Sequence, residues 1–262
     1  MPAVSHLHGF NGMRAVPAGV LKVWIDPSIR AAMRQDTGGA AATIPAAADQ
    51  PVGSVLNLGA QGGWYAAPSD AARPTLRTDG GRWWLDWHPA ARLARTDAAL
   101  LRGVPGWSML AAVQPLAGAN LAIQEVSASA SAARAALWYA SGAGVVPLRV
   151  SSRRTNAEAA HTLSQTGSVT SGADAAIIAT ADLAARTRTL FINGVQNAQA
   201  TAVSTAGQTP TDFGAHTLGN NTPGNGAFAG RIYGLGVAET ALTASQIAAL
   251  TRALRARMGL RG

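Results

Sequence analysis

The dipeptide Asn193-Gly194 constrains this chain more than any other feature. It follows the apolar run Thr189-Leu190-Phe191-Ile192 and precedes Val195. Both residues tolerate positive φ, so the pair predicts a tight β-hairpin in which a strand over 188–193 returns over 195–200. A strand over 175–181 pairs with the first arm across the polar loop 182–187. After a Gly/Asn-rich loop comes another strand, Phe228 to Val237, and then a closing helix. A chain that ends this way commits its last third to an antiparallel sheet.

The helix is written at every level. Thr243 with Gln246 three places on forms a capping box, each side chain satisfying a free backbone N–H at the helix start. Leu242 and Ile247 are placed as a hydrophobic staple. Ile247, Leu250, Leu254 and Met258 make one apolar stripe to lie on a sheet. Arg252, Arg255 and Arg257 suit the C-terminal end of the helix dipole, and Gly259 is the stop. The spacing predicts a helix over about 244–258.

Upstream, Leu21 to Asp26 alternates as a strand should, and Pro27 ends it. Residues 36–54 read as an Ala/Gly/Pro-rich loop. Strands are predicted at 55–58, at Arg82 to His88, and at 107–113, 119–126, 135–140 and 145–150, with turn residues between them. Around a dozen short strands with one helix is an all-β, two-sheet jelly-roll sandwich. Residues 1–20, with two prolines and three glycines, read as an irregular docking arm, and 21–262 as the sandwich. The arm carries His6 and His8, with no further metal ligand near them.

Several motifs now add up to a resemblance. Trp24-Ile25-Asp26 opens the strands, and Pro74-Thr75-Leu76 precedes Leu85-Asp86-Trp87. A strand then ends in Asn193-Gly194, and Phe228-Ala229-Gly230-Arg231-Ile232 comes before Leu242-Thr243. In this order the chain resembles the laminin-G-like, concanavalin A-like lectin/glucanase sandwiches, of the kind found in structural proteins of tailed phages and phage-like particles. The long loop at 36–54 and the Trp-dense middle depart from that pattern.

The catalytic signature that the resemblance implies is missing. Glucanases of this fold carry Glu-x-Asp-x-x-Glu on one strand, placing two carboxylates in one cleft. This chain has only Glu125, Glu158 and Glu239, followed two places on by Ser127, Ala160 and Ala241. Retaining hydrolysis needs two carboxyl groups about 5 Å apart. There is no Gly-x-Ser-x-Gly elbow and no complete dinucleotide or phosphate loop. With no cysteine, thiolate chemistry and disulfides are excluded. Five scattered His and dispersed Asp pick out no metal site. A Ca²⁺ ion, common in the resembled domains, is open but not indicated by spacing, and no other cofactor is expected. The chain reads as a non-enzyme.

Sugars stack their C–H faces on aromatic rings, and three places offer rings. In the strand at 83–88, alternation puts Trp83, Leu85 and Trp87 on one face and Trp84, Asp86 and His88 on the other. The first set reads as core and the second as a sugar platform wherever that face is open. Trp64-Tyr65 on a loop and Trp138-Tyr139 are further candidates, and Asn220-Asn221 offer amides for hydroxyls. Against each stands the fact that Trp and Tyr also fill cores and interfaces, and that Asn serves turns.

The net charge of +8 rests on 21 basic residues, of which only Lys22 is lysine. They are scattered, which implies a generally positive surface suited to acidic polysaccharide, not a specific nucleic-acid stripe. No stretch reaches the ~18 apolar residues of a membrane span, and no secretory signal is visible. The expectation is a glycan-binding virion structural protein: a fibre, spike or decoration subunit, made in the host cytoplasm. It would bind cell-surface polysaccharide, dock on other virion proteins through its arm, and form homo-oligomers. An assembly-only subunit and a free bacterial carbohydrate-binding module are the alternatives.

Overall fold

A computed structural model describes residues 19–37, 48–116, 121–127, 134–139, 145–153, 158–159, 161–201, 207–209, 214–221 and 226–260. In chain order the strands are β1 (Leu21–Ile25), β2 (Met33–Arg34), β3 (Ser54–Leu56), β4 (Trp64–Ala66), β5 (Thr75–Thr78), β6 (Trp83–Trp87), β7 (Leu93–Arg95) and β8 (Gly106–Pro115). Then come β9 (Leu121–Ser127), β10 (Arg134–Tyr139), β11 (Val145–Arg153), β12 (His161–Thr170), β13 (Ala175–Asp182), β14 (Thr187–Ile192), β15 (Val195–Thr201), β16 (Ala215–Leu218) and β17 (Gly230–Ala238). The helix α1 spans Ala244–Arg257.

The strands form two antiparallel sheets. One has eight strands in the order β15-β14-β13-β8-β17-β6-β5, with β1 also pairing along β17. The other has nine, β12-β11-β10-β9-β16-β7-β4-β3-β2. The expected two-sheet jelly roll with one C-terminal helix is what the chain forms. Five strands that the sequence does not signal, β2, β4, β7, β12 and β16, complete the second sheet. The Trp64-Tyr65 pair therefore sits on a strand, not a loop.

Between the sheets lies the main core. The eight-stranded sheet contributes Val23, Leu85, Trp107, Met109, Ile177 and Leu190, among others, and the nine-stranded sheet contributes Val55, Leu93, Ile123, Leu137, Leu148 and Val150. A second core lies on the outer face of the eight-stranded sheet. There Ile247, Leu250, Leu254 and Met258 of the helix stripe cover Trp24, Trp84, Leu110, Ile178 and Tyr233. The capping box is present, with Thr243 N donating to Gln246 Oε1 at 2.8 Å. Arg257 in the last turn pairs at 2.9 Å with Asp26 at the end of β1. Trp24 lies on β17 where Gly236 leaves room for it; a Cβ at Gly236 would stand 3.1 Å from the indole. The hairpin turn forms as the sequence demands, Asn193 at φ 51° and Gly194 at φ 88°.

One polar chain crosses the interior. A β-bulge at Ile123, where Leu137 pairs with Gln124 but Trp138 with Ala122, turns Gln124 inward. Its amide donates to the carbonyls of Leu110 and Gly236 on the opposite sheet, at 3.0 and 3.3 Å. Its Oε1 lies 3.2 Å from His216 Nε2, and His216 Nδ1 lies 2.6 Å from Tyr65 Oη. One tautomer satisfies the whole chain: Tyr65 donates to Nδ1, and Nε2–H donates to Gln124. Burial holds the His216 pKa down at about 3 and pushes that of Tyr65 up.

Two outcomes follow from this architecture. Thr243→Ala should lower stability by about 1 kcal/mol, read as a drop in melting temperature. Below pH ~6.5 the unfolded chain protonates His216 while the folded chain keeps it neutral, so acid should erode stability toward pH 3. At pH 4 that term is about 3 kcal/mol. Urea titrations at pH 7 and pH 4 should show this extra loss in the native chain and its absence in His216→Gln.

Candidate functional site

The alternation at 83–88 falls as the sequence predicts, with Leu85 and Trp87 in the main core and Trp84 on the other face. That other face is not open at Trp84. Its ring is 7% exposed, packs 5.9 Å from Tyr233, and carries the Arg231 guanidinium 4.5 Å from its centroid. Sequence alternation reports which face a residue takes, and what packs on that face decides whether it meets water. Beside Trp84, Asp86 pairs with Arg77 at 3.5 Å. Exposed His88 has its Nε2 3.1 Å from the Arg73 carbonyl. The three do not form an open platform.

The other two pairs divide in the same way as each other. Tyr65 and Tyr139 point inward and are fully buried; burial alone pushes the Tyr139 pKa up. Their neighbours Trp64 and Trp138 are half-buried and point the opposite way. Both therefore lie on the outer face of the nine-stranded sheet, toward opposite ends of it.

Each tryptophan on this face has an arginine beside it. Arg34 of β2 places its guanidinium 5.1 Å from the Trp64 ring centroid, and donates to the carbonyls of Ala31 and Met33 at 2.9 and 3.0 Å. Across the β10–β11 ladder Trp138 stands directly opposite Arg149, which is exposed. Gly226 lies tight against the Trp138 ring; a Cβ there would sit 2.7 Å from the indole and 3.1 Å from the Asn221 amide carbon. Asn220 and Asn221 are buried and hold this loop. Asn220 Oδ1 accepts from Asn221 N and Gly226 N at 2.8 and 3.1 Å, and Asn221 Oδ1 accepts from Gly226 N at 2.9 Å. The two amides act on Trp138 by shaping the loop beside it.

Between the tryptophans the face is built from small and hydroxylic side chains, with Ser54, Thr217, Glu125, Ala136 and Ser151 buried and Thr162 exposed. Register places Thr162, Ser151, Ala136, Glu125, Thr217, Ala94, Ala66 and Ser54 in one row from β12 to β3. Glu125 is fully buried at its centre and is the one acidic side chain among the described outward residues of these strands. One carboxylate does not supply the pair that glycoside hydrolysis uses. Among the described residues no group of three or more His, Asp or Glu is placed to hold a metal ion, and no helix is long and apolar enough to cross a membrane. His6 and His8 lie outside the described residues.

Local spacing does not reveal this face. Arg34, Arg149, Glu125 and Thr217 come from four strands that meet only through the order β11-β10-β9-β16-β7-β4-β3-β2. The signal available in sequence was the Trp-Tyr pair itself, one ring for each side of a strand.

A family model described as the concanavalin A-like lectin/glucanases superfamily matches residues 95–248. No curated protein matches the chain. Among solved structures it is similar to the CBM40 of the Ruminococcus gnavus IT-sialidase bound to α2,3-sialyllactose, at 19% identity and TM-score 0.48, over 59% of this chain and 86% of that one. It is also similar to the heptameric SAP-like pentraxin of Limulus polyphemus, at 16% identity and TM-score 0.47, over 60% and 73%. The NanB sialidase of Streptococcus pneumoniae matches at 13% identity and TM-score 0.50, over 60% of this chain and 26% of that one. At these identities the likeness is one of fold.

The two kinds of tryptophan should separate in a stability assay. Trp84→Ala should cost about 3 kcal/mol or more, as truncation of a buried aromatic does. Trp138→Ala should cost clearly less. Chemical denaturation of the two variants checks the order, and equal losses would contradict the burial difference.

Proposed function

Since the chain belongs to the concanavalin A-like lectin/glucanases superfamily, we propose that it is a non-catalytic glycan-binding protein. Its binding surface is the outer face of the nine-stranded sheet. The observation that carries this reading is the pair of half-exposed tryptophans on that face, Trp64 and Trp138, each with an arginine next to it. An indole gives an apolar plane for a sugar C–H face, and the guanidinium beside it gives donors in a rigid fork that matches carboxylate, phosphate or sulfate. Of the hydroxyls in the row between them, that of Thr162 is exposed to a sugar.

The ligand class that fits best is an acidic polysaccharide. The face sets Arg34 and Arg149 against the single buried carboxylate of Glu125, and the whole chain carries +8. A positive field of this kind raises the local concentration of an anionic polymer and is screened as salt rises. Among the described residues the face carries no paired carboxylates, which fits binding without cleavage. The finer reading is a fibre, spike or decoration subunit of a tailed phage or phage-like particle that attaches to host-surface polysaccharide, with residues 1–20 as the docking arm. It is supported by the lectin-type fold on a cysteine-free chain, which folds without an oxidising compartment.

A glycan array of neutral and acidic glycans tests the proposal with the native chain, Trp64→Ala, Trp138→Ala and Arg149→Gln. Saturable binding to acidic glycans is expected, weakened by salt. Each tryptophan variant should lose about tenfold in affinity, the equivalent of ~1.4 kcal/mol. Arg149→Gln should reduce acidic binding more than neutral. A folded protein that binds nothing would leave the assembly-only reading, and binding unchanged in both tryptophan variants would move the site off this face.

A further inference from the structure

The four sheet edges of this sandwich are not treated alike. At one end of the eight-stranded sheet β5 is sealed by the segment before it: Asp49 N donates to the Leu76 carbonyl at 2.8 Å, Leu76 N to Gln50 at 2.9 Å, and Val52 N to Pro74 at 2.9 Å. At the end of the nine-stranded sheet on that side, β2 is only two residues long. The opposite side of the molecule is bounded by β15, seven residues, and β12, ten residues. These two strands pack against each other where the sheets meet.

Neither of the long edges is blunted by charge or proline, although the pairing of each to its neighbour shifts once, β15 on β14 between Leu190 and Phe191 and β12 on β11 between Val146 and Leu148. β15 reads VQNAQAT and β12 reads HTLSQTGSVT; neither contains Asp, Glu, Lys, Arg or Pro. Edge strands ordinarily avoid pairing with other chains by means of charges, prolines, bulges or short length. The side chains of β15 stand partly or fully in solvent. Val195 at its start is 65% exposed, one of two large apolar side chains so exposed among the described residues.

We propose that this side of the sandwich is a self-association surface, at which β15 pairs antiparallel with β15 of a second copy about a two-fold axis. The free N–H and C=O groups of an edge strand are directional and fit another strand. A second copy is the occupant the charge distribution favours. Two chains of +8 repel each other over most of their surfaces, and the uncharged β12–β15 side is where they meet without that cost. The geometry is also self-complementary. A two-fold axis normal to the sheets makes the β15 pair antiparallel and carries β12 toward β12 of the second copy, so one operator extends both sheets. Association through β15 does not depend on glycan binding.

Sedimentation velocity of the full chain tests this, with Gln196→Lys/Gln199→Lys and Gln196→Glu/Gln199→Glu as variants. Both positions are exposed, so the fold should be kept, and circular dichroism checks that it is. The native chain should sediment at twice its 26.6 kDa and each variant as a monomer. An equimolar mixture of the Lys and Glu variants should recover the dimer, a result that neither unfolding nor a different interface would produce. A native chain that stays monomeric up to about 100 μM, far weaker than stable dimers, overturns the proposal. So does a Lys variant that still dimerises, or a native mass other than that of a dimer.

Discussion

The chain of hydrogen bonds from Tyr65 through His216 and Gln124 to the Leu110 and Gly236 carbonyls joins the two sheets through the middle of the core. Apolar contacts between sheets resist separation but tolerate sliding, because one buried methyl replaces another at little cost. Buried polar groups do not tolerate it, since a slip that breaks one bond leaves donors and acceptors without water. The Ile123 bulge is what allows Gln124 to take part. It also sets the outward parity of β9, so that Ala122 and Glu125 face away from the core. The register of the outer face is thus fixed from inside the molecule, and Trp138 stands opposite Ala122 for the same reason that Gln124 reaches β8 and β17.

The second core has a different logic. The helix does not fill the sandwich; it roofs the outer face of the eight-stranded sheet and is held at its end by Arg257 on Asp26. The helix does not roof the nine-stranded sheet, and on the outer face of that sheet the side chains that reach solvent lie toward its ends, Thr162, Arg149 and Trp138 at one and Trp64 and Arg34 at the other. Within the main core a charge is tolerated. Arg188 on β14 is fully buried, and desolvation lowers its pKa to about 10, opposed by the charge of Glu158.

Much of the fold is legible in the sequence because its signals are local. The capping box at Thr243, the helix stripe and the Asn193-Gly194 turn each act over a few residues, and each forms as written. The strands without a sequence signal are two to four residues long, except β12, whose Ser, Thr and Gln mask its alternation. The site was legible only in part. Alternation separates Trp64 from Tyr65 and Trp138 from Tyr139, but it does not say which ring lies inside. Nor does it say that Tyr233 and Arg231 of β17, more than 140 residues away, pack on Trp84. Those facts are settled by sheet order and by what packs on each face, which are long-range properties of the chain.

The placement of the two uncharged edges has a consequence for how tightly such a protein holds a surface. An axis normal to the sheets leaves the outer faces of both nine-stranded sheets pointing in the same direction. Two copies joined at β15 then present their tryptophans side by side to one planar array of polysaccharide, with no turn of either subunit. Once the first face is bound, the second meets its ligand at an effective concentration set by the rigid spacing, and the gain in avidity comes without any new contact. A lectin-type sandwich with modest affinity per face becomes, through an edge strand without charge, a two-footed anchor.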